Sequence, residues 1–308
     1  MDFLRLLEKI RNPVFDFIFS LVTKLGEETV FMAVAIIIFW CFSKKDGYYI
    51  LSVGFIGTIL NQFLKLLFRI PRPWVLDPDF SIVESARAEA TGYSFPSGHT
   101  QSSVGTFGSV AYIFKQKWVK IVAIVICVLV PFSRMYLGVH TPLDVLVSVE
   151  IALALIFLVK PIFDKAEKNP KILYIFFGAM FLVSLIFLLF VCFFNFPSDI
   201  DPHNYESGLK NACTLLGATL GFLIAYPIEV KFIKFETEGK WYVQLLKCAI
   251  GLGLVLAIKA LLKPLFLLFL PAMVERVIRY AIIVIFSAVI WPLTFKHFRK
   301  LENLKKNS

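Results

Sequence analysis

Nine stretches of about 17 to 26 mainly apolar residues, joined by charged connections of which 69–96 is the longest, constrain this chain more than any other feature. They fall at 27–43, 47–68, 97–115, 118–136, 141–163, 171–196, 208–229, 243–263 and 273–295. A helix needs about 20 apolar residues to cross the hydrocarbon core of a bilayer. Hydrophobic residues make up 58% of the 308 positions, 33 of them Phe, and the mean hydropathy is +0.77. That is far more apolar material than one water-soluble core of this size would bury. The expected fold class is all-α, a polytopic transmembrane helical bundle of about nine spans. Residues 1–25 alternate Leu6, Ile10, Phe17 and Leu21 with Arg5, Lys9, Arg11 and Lys24, which predicts an interfacial amphipathic helix broken near Pro13. The chain therefore divides into an interfacial segment at 1–26, five spans within 27–163 and a four-span extension at 164–308, with no internal repeat.

The net charge of +10 is not a nucleic-acid signature, because Lys and Arg occur in short clusters between apolar runs and form no continuous basic face. Membrane topology and lipid headgroups explain that charge better. Lys44–Lys45, Lys115/Lys117/Lys120, Lys160/Lys165/Lys168/Lys171, Lys231/Lys234/Lys240 and Lys296/Arg299/Lys300/Lys305/Lys306 fall on one side when nine spans are counted. By the enrichment of cations in short cytoplasmic loops, that side is the cytoplasm, with the N-terminus outside and the C-terminus inside. The 197–207 connection, with Asp199, Asp201 and Glu206 and no Lys or Arg, agrees with an outer position. Met1 to Asn12 carries Asp2 and Glu8 and lacks an apolar run with a small-residue cleavage site, so no signal peptide is expected and the first span directs insertion. The five cysteines have neither C-x-x-C nor metal-ligand spacing and read as packing residues.

Three short blocks carry chemistry. Lys65 is followed after six residues by Arg72–Pro73; Pro96–Ser97–Gly98–His99 follows; Ser133–Arg134 is followed at fixed spacing by His140 and Asp144. All sit at the predicted outer ends of spans, so they meet at one membrane face. Phosphoryl transfer asks a protein to position the group and to stabilise charge on its oxygens. Lys65, Arg72 and Arg134 supply cations, the arginines as forks and the lysine as a point charge. Pro96 stops any upstream helix, and Ser97–Gly98 begin a new one whose free N–H groups bind an anion. His140 and Asp144 stand at i and i+4. If the helix reaches back to His140, the carboxylate takes one ring nitrogen and leaves the other for attack on phosphorus. His140 is the candidate nucleophile and His99 the candidate general acid for the leaving alkoxide. No carboxylate cluster suits two divalent ions, so neither a metal nor another cofactor is expected.

The three blocks resemble the signature of the type 2 phosphatidic acid phosphatase superfamily, over roughly residues 45–160 and at every signature position. The resemblance implies a covalent phosphohistidine at His140, acid and base action by His99, orientation by Asp144, and phosphate contacts from Lys65, Arg72, Ser97, Gly98 and Arg134. The expected substrate is a lipid phosphate, either a phosphomonoester or the terminal phosphate of a diphosphate, hydrolysed at the non-cytoplasmic face. The nine-span layout also suggests a sugar-phosphate phosphatase of the glucose-6-phosphatase kind, and a phosphotransferase to a lipid alcohol is a further alternative. The sequence leaves the oligomeric state unknown. Asn61 and Gln62 are expected to bond across helices near the site, Arg69 and Arg87 to add phosphate contacts, and Glu150 to have either a structural or a groove-lining role. His203 and His297 read as surface residues.

Overall fold

The computed structural model describes residues 1–198 and 200–304. Asp199, Lys305 and Lys306, which carried part of the charge argument, lie outside the described residues. The regular structure of the described residues is helical: α1 (Asp2–Lys9), α2 (Pro13–Lys24), α3 (Glu28–Cys41), α4 (Lys44–Phe68), the short α5 (Pro73–Leu76), α6 (Gly98–Ile113), α7 (Lys117–Tyr136), α8 (Pro142–Ala166), α9 (Lys171–Phe193), α10 (Pro202–Ile228), α11 (Trp241–Leu267), α12 (Ala272–Ile285) and α13 (Phe295–Leu304). Wider π turns follow α10 and α12 at Glu229–Ile233 and Phe286–Ile290.

Among the described residues, seven segments are long and apolar enough to cross a membrane: Lys44–Leu76, Lys117–Tyr136, Pro142–Ala166, Lys171–Phe193, Pro202–Ile233, Trp241–Leu267 and Ala272–Arg299. The protein is thus a polytopic helical membrane protein, but two of the nine expected spans are shorter. The 27–43 stretch gives α3 with 14 residues and the 97–115 stretch gives α6 with 16. At about 1.5 Å per residue these reach only about 21 and 24 Å. In α6 the reason is visible in its side chains. Thr100, Gln101, Ser103, Thr106 and Ser109 are all buried, so this helix is wrapped by protein and need not match the lipid thickness.

The chain divides into two compact units. The first comprises residues 1–34, 49–161 and 194–208. Here α6 and α2 both pack on α7. The break at Pro13 is as expected: Asn12 accepts hydrogen bonds from the Val14 and Phe15 amides, both at 3.1 Å, and starts α2 with proline in its first turn. The polar face of the N-terminal pair has specific partners. Arg11 Nε donates to Tyr136 O at 2.8 Å, and the Tyr136 hydroxyl donates to Asp16 Oδ1 at 2.8 Å. Arg5 pairs with Asp77 at 2.6 Å, and Glu8 accepts from the Ser81 amide at 2.9 Å. These contacts fix the C-terminal end of α7 and the 77–82 stretch. Glu150 lies on the exposed side of α8.

The second unit comprises residues 35–48, 162–193 and 209–308. Its interior is aromatic, with Tyr48 against Phe177, Phe222 and Tyr226 at ring separations of 5.5 to 6.0 Å. The α10 backbone passes very close to α12. A Cβ on Gly217 would come within 2.2 Å of Val277 O, and one on Gly221 within 2.6 Å of Val284.

Candidate active site

The turn between α7 and α8 carries His140. Gly138, at φ +80°, makes the reversal that glycine tolerates best, in a space where a Cβ would meet Arg11 at 2.7 Å. α8 begins at Pro142, so the helix does not reach back to His140. The pairing with Asp144 arises from a helix cap instead. Thr141 N donates to Asp144 Oδ2 at 2.8 Å, and Asp144 N donates to Thr141 Oγ1 at 3.3 Å, a reciprocal box that turns the carboxylate back toward the preceding residue. His140 Nδ1 lies 3.3 Å from the same Oδ2. The Ser94 hydroxyl also donates to this oxygen, at 2.6 Å. Both His140 and Asp144 are buried.

The other imidazole nitrogen, Nε2, lies 2.9 Å from Arg72 Nη1. That guanidinium is held by carbonyls, with Nη1 donating to Val139 O at 3.0 Å, Nε to Gly92 O at 3.1 Å and Nη2 to Thr91 O at 2.8 Å. Lys65, at the end of α4, donates to Tyr93 O and, at 3.4 Å, to Ser94 O. Arg134 is fully buried in the last turn of α7 and donates through Nη1 to Thr23 Oγ1 at 2.7 Å. Its Nε and Nη2 make no hydrogen bond to protein. All three cations thus bond directly to neutral carbonyl or hydroxyl oxygens, with Asp144 and Glu89 acting on them only from a distance, and a buried charge without a carboxylate in contact is costly. An anion removes that cost. Burial and the charges of Arg72, Arg134 and Lys65 push His140 well below the usual imidazole range, so its ring is neutral at pH 7.

Ser97 caps α6. Its N–H donates to Asp144 O at 3.1 Å and its hydroxyl accepts from Thr100 N at 3.4 Å. The first-turn amides of Gly98 and His99 have no acceptor within their own helix, which makes them donors for an anion. His99 Nε2 lies 3.7 Å from Glu89 Oε2, beyond direct hydrogen-bond reach, and Glu89 is held below the usual carboxylate range by that imidazole. Asn61 stands beside Gly98 and is buried, but its amide makes no hydrogen bond to protein, contrary to the cross-helix bond expected for it. Arg87 pairs bidentately with Glu84 at 2.8 Å and is not drawn into the cluster.

The structure therefore links Arg72, His140 and Asp144 in sequence, with Ser97 bonded to Asp144 O and Lys65 bonded to the carbonyl of Ser94, whose hydroxyl meets Asp144. Three further participants were not read from the sequence. Thr23 comes from α2, 111 residues from Arg134, and carries no local signal. Ser94, two residues ahead of Pro96, and Glu89, ten ahead of His99, sit in a loop without helical or strand periodicity.

This is the architecture of a multi-pass membrane phosphatase, a phosphoric ester hydrolase. Residues 46–168 match the PAP2 superfamily, and residues 213–303 match the PAP2 superfamily phosphatase transmembrane extension. The chain belongs to the PAP2 superfamily. It is 32% identical over 174 residues to phosphatidylglycerophosphatase B of Bacillus subtilis, covering 52% of this chain and 80% of that one. It is 30% identical to undecaprenyl-diphosphatase BcrC of the same organism, covering 48% of this chain and 74% of that one. A longer, weaker match of 24% identity, to sphingosine-1-phosphate phosphatase 2 of Homo sapiens, covers 82% of this chain and 66% of that one.

Proposed function

We propose that this protein hydrolyses a lipid phosphate at the non-cytoplasmic membrane face through a phosphohistidine on His140, without a metal ion. The observation that carries the reading is the bracketing of one imidazole: Nδ1 toward the Asp144 carboxylate at 3.3 Å and Nε2 toward Arg72 at 2.9 Å. A carboxylate on Nδ1 fixes the tautomer whose Nε2 carries a lone pair, and the guanidinium marks where phosphate oxygens gather. In the first step Nε2 bonds to phosphorus as the ester P–O bond breaks, and His99 protonates the departing alkoxide. In the second, His99 takes a proton from water, which attacks phosphorus and releases inorganic phosphate from Nε2. Arg72, Arg134, Lys65 and the amides of Gly98 and His99 stabilise the equatorial oxygens in both steps.

A lipid substrate is supported by the activities for which the relatives are named and by membrane spans on both sides of the site residues. In this reading residues 27–163 form the catalytic core, 164–308 the membrane extension, and the site opens on the side opposite the Lys-rich connections. The test is phosphate release by purified protein in EDTA across lipid monophosphates, lipid diphosphates and sugar phosphates, beside His140→Ala and His99→Ala. Metal-free release from lipids, lost in both variants, is expected. Release that requires a divalent ion, or glucose 6-phosphate cleaved as well as any lipid, would overturn it. Cysteine labelling from each membrane side tests the orientation.

A further inference from the structure

Beside Arg72 lies a cavity of about 530 Å³ that the reaction at His140 does not use. That volume is ample for a headgroup, since small-molecule sites occupy roughly 300 to 1,000 Å³. Its walls come from three pieces of the first unit: Phe68, Arg69, Arg72 and Trp74 after α4, Gly92 and Tyr93 ahead of α6, and Asp201 with Asn204 at the start of α10. We infer that this cavity is the subsite for the inner phosphate of a lipid diphosphate, with Arg69 as its specificity-determining residue; the inference rests on the hydrolytic reading above and refines its substrate.

Arg72 makes the connection. It lines the cavity and also reaches His140 Nε2 at 2.9 Å, so an anion in the cavity shares a guanidinium with the phosphate being attacked. Two anions that close together are what a diphosphate presents, since its phosphorus atoms are separated by one bridging oxygen. Arg69 supplies the second cation. One of its five N–H groups donates to Leu66 O at 3.1 Å, and the residue holds φ +51°, a backbone setting that non-glycine residues rarely adopt. Asp201 is the carboxylate on the wall, and its Oδ1 is engaged by the Asn204 amide at 2.8 Å. Two guanidiniums and one carboxylate leave the walls with a net positive charge, which favours an anion over an ammonium group. Phe68, Trp74 and Tyr93 offer apolar surface for the first carbons of the chain. In the reaction, His140 Nε2 bonds to the terminal phosphorus as its bond to the bridging oxygen breaks. The lipid monophosphate departs with that electron pair, and water then frees inorganic phosphate from the histidine.

The experiment uses the full chain in nanodiscs with farnesyl diphosphate, farnesyl monophosphate and sphingosine 1-phosphate as substrates. In Arg69→Gln the ratio of kcat/KM for diphosphate over monophosphate should fall about tenfold, the scale of one lost charge-assisted hydrogen bond. Arg69→Lys should restore most of it, and Asp201→Asn should keep or raise it. An unchanged ratio in Arg69→Gln, or an Asp201→Asn variant that selectively loses the amino lipid, would overturn the inference. Binding gives a readout independent of turnover. A non-hydrolysable farnesyl methylenediphosphonate should raise the Tm of the wild type more than the monophosphonate does, with the difference lost in Arg69→Gln. Equal shifts in the wild type would sink the inference even where hydrolysis is seen. Absence of release from every lipid phosphate would instead remove the hydrolytic reading, with the binding comparison still deciding the subsite.

Discussion

The two units bury cations in different ways. In the second unit, buried Arg279 pairs with buried Glu275 one helical turn away, and Lys44 reaches buried Glu229 at 2.8 Å. Lys247 is also engaged. It donates to Trp40 O at 2.9 Å and lies 4.3 Å from the Phe295 ring centroid, whose π face supplies negative potential. In the first unit, buried Lys65, Arg72 and Arg134 bond to carbonyls and a hydroxyl. The residue types are the same, but in one unit the cations have carboxylate or aromatic partners and in the other they rest on neutral oxygens, as the proposed anion site requires. A buried cation is therefore informative through its partner, and burial alone does not mark a site.

Removing a held-open cation should harm catalysis and spare the fold, while removing a satisfied one should do the reverse. Arg134→Gln is expected to lower kcat/KM by on the order of 10³ with an unchanged or raised Tm, because a buried charge without a carboxylate in contact is lost. A large fall in Tm would show that Arg134 is structural and would break the comparison. Arg279→Gln should cost about 3 to 5 kcal/mol of stability, read as a lower Tm in detergent, because Glu275 is left buried and unpaired, with kcat little affected in the protein that remains folded.

Smaller effects sharpen the picture. Asp144→Asn should slow phosphohistidine formation by about 10²-fold, measured as the pre-steady-state burst, through loss of the tautomer that exposes Nε2. Glu89→Gln should cost about tenfold on alkyl phosphates and less on p-nitrophenyl phosphate, which leaves without a proton. Equal losses on both would place Glu89 in loop structure alone. Thr23→Val should cost only a few-fold, since Arg134 keeps its other donors.

Acid sensitivity follows from His140. Its pKa is depressed, so the neutral, reactive ring persists as pH falls through about 6.5 and is lost only at lower pH. Below about 6.5 the unfolded chain binds a proton that the folded site refuses, so this histidine reduces stability as pH falls. Arg72→Gln removes one of the charges responsible and should move the acid limb of the burst upward; an unmoved limb would show that burial alone sets it.

Periodicity made the helical class and the seven long spans legible in the sequence, because each depends on what lies within one helix, and block spacing singled out the eight residues proposed for the site. Span length was misjudged at α3 and α6. An apolar count does not register that Thr100, Gln101, Ser103 and Ser109 are covered by neighbouring helices rather than lipid. The placing of Asp144 beside His140 was anticipated by spacing, yet it is achieved by the Thr141 cap and the Ser94 hydroxyl.

By itself, then, the sequence determined a membrane-embedded helical phosphatase with a defined set of cations and histidines, since hydropathy and motif spacing are local properties of the chain. Only the tertiary structure decided which buried cations stand without a carboxylate, that Thr23 and Glu89 face Arg134 and His99, and that Arg69, Arg72 and Asp201 share one cavity. Those relations join residues up to more than a hundred positions apart, and only the packing of helices and loops sets the distances between them.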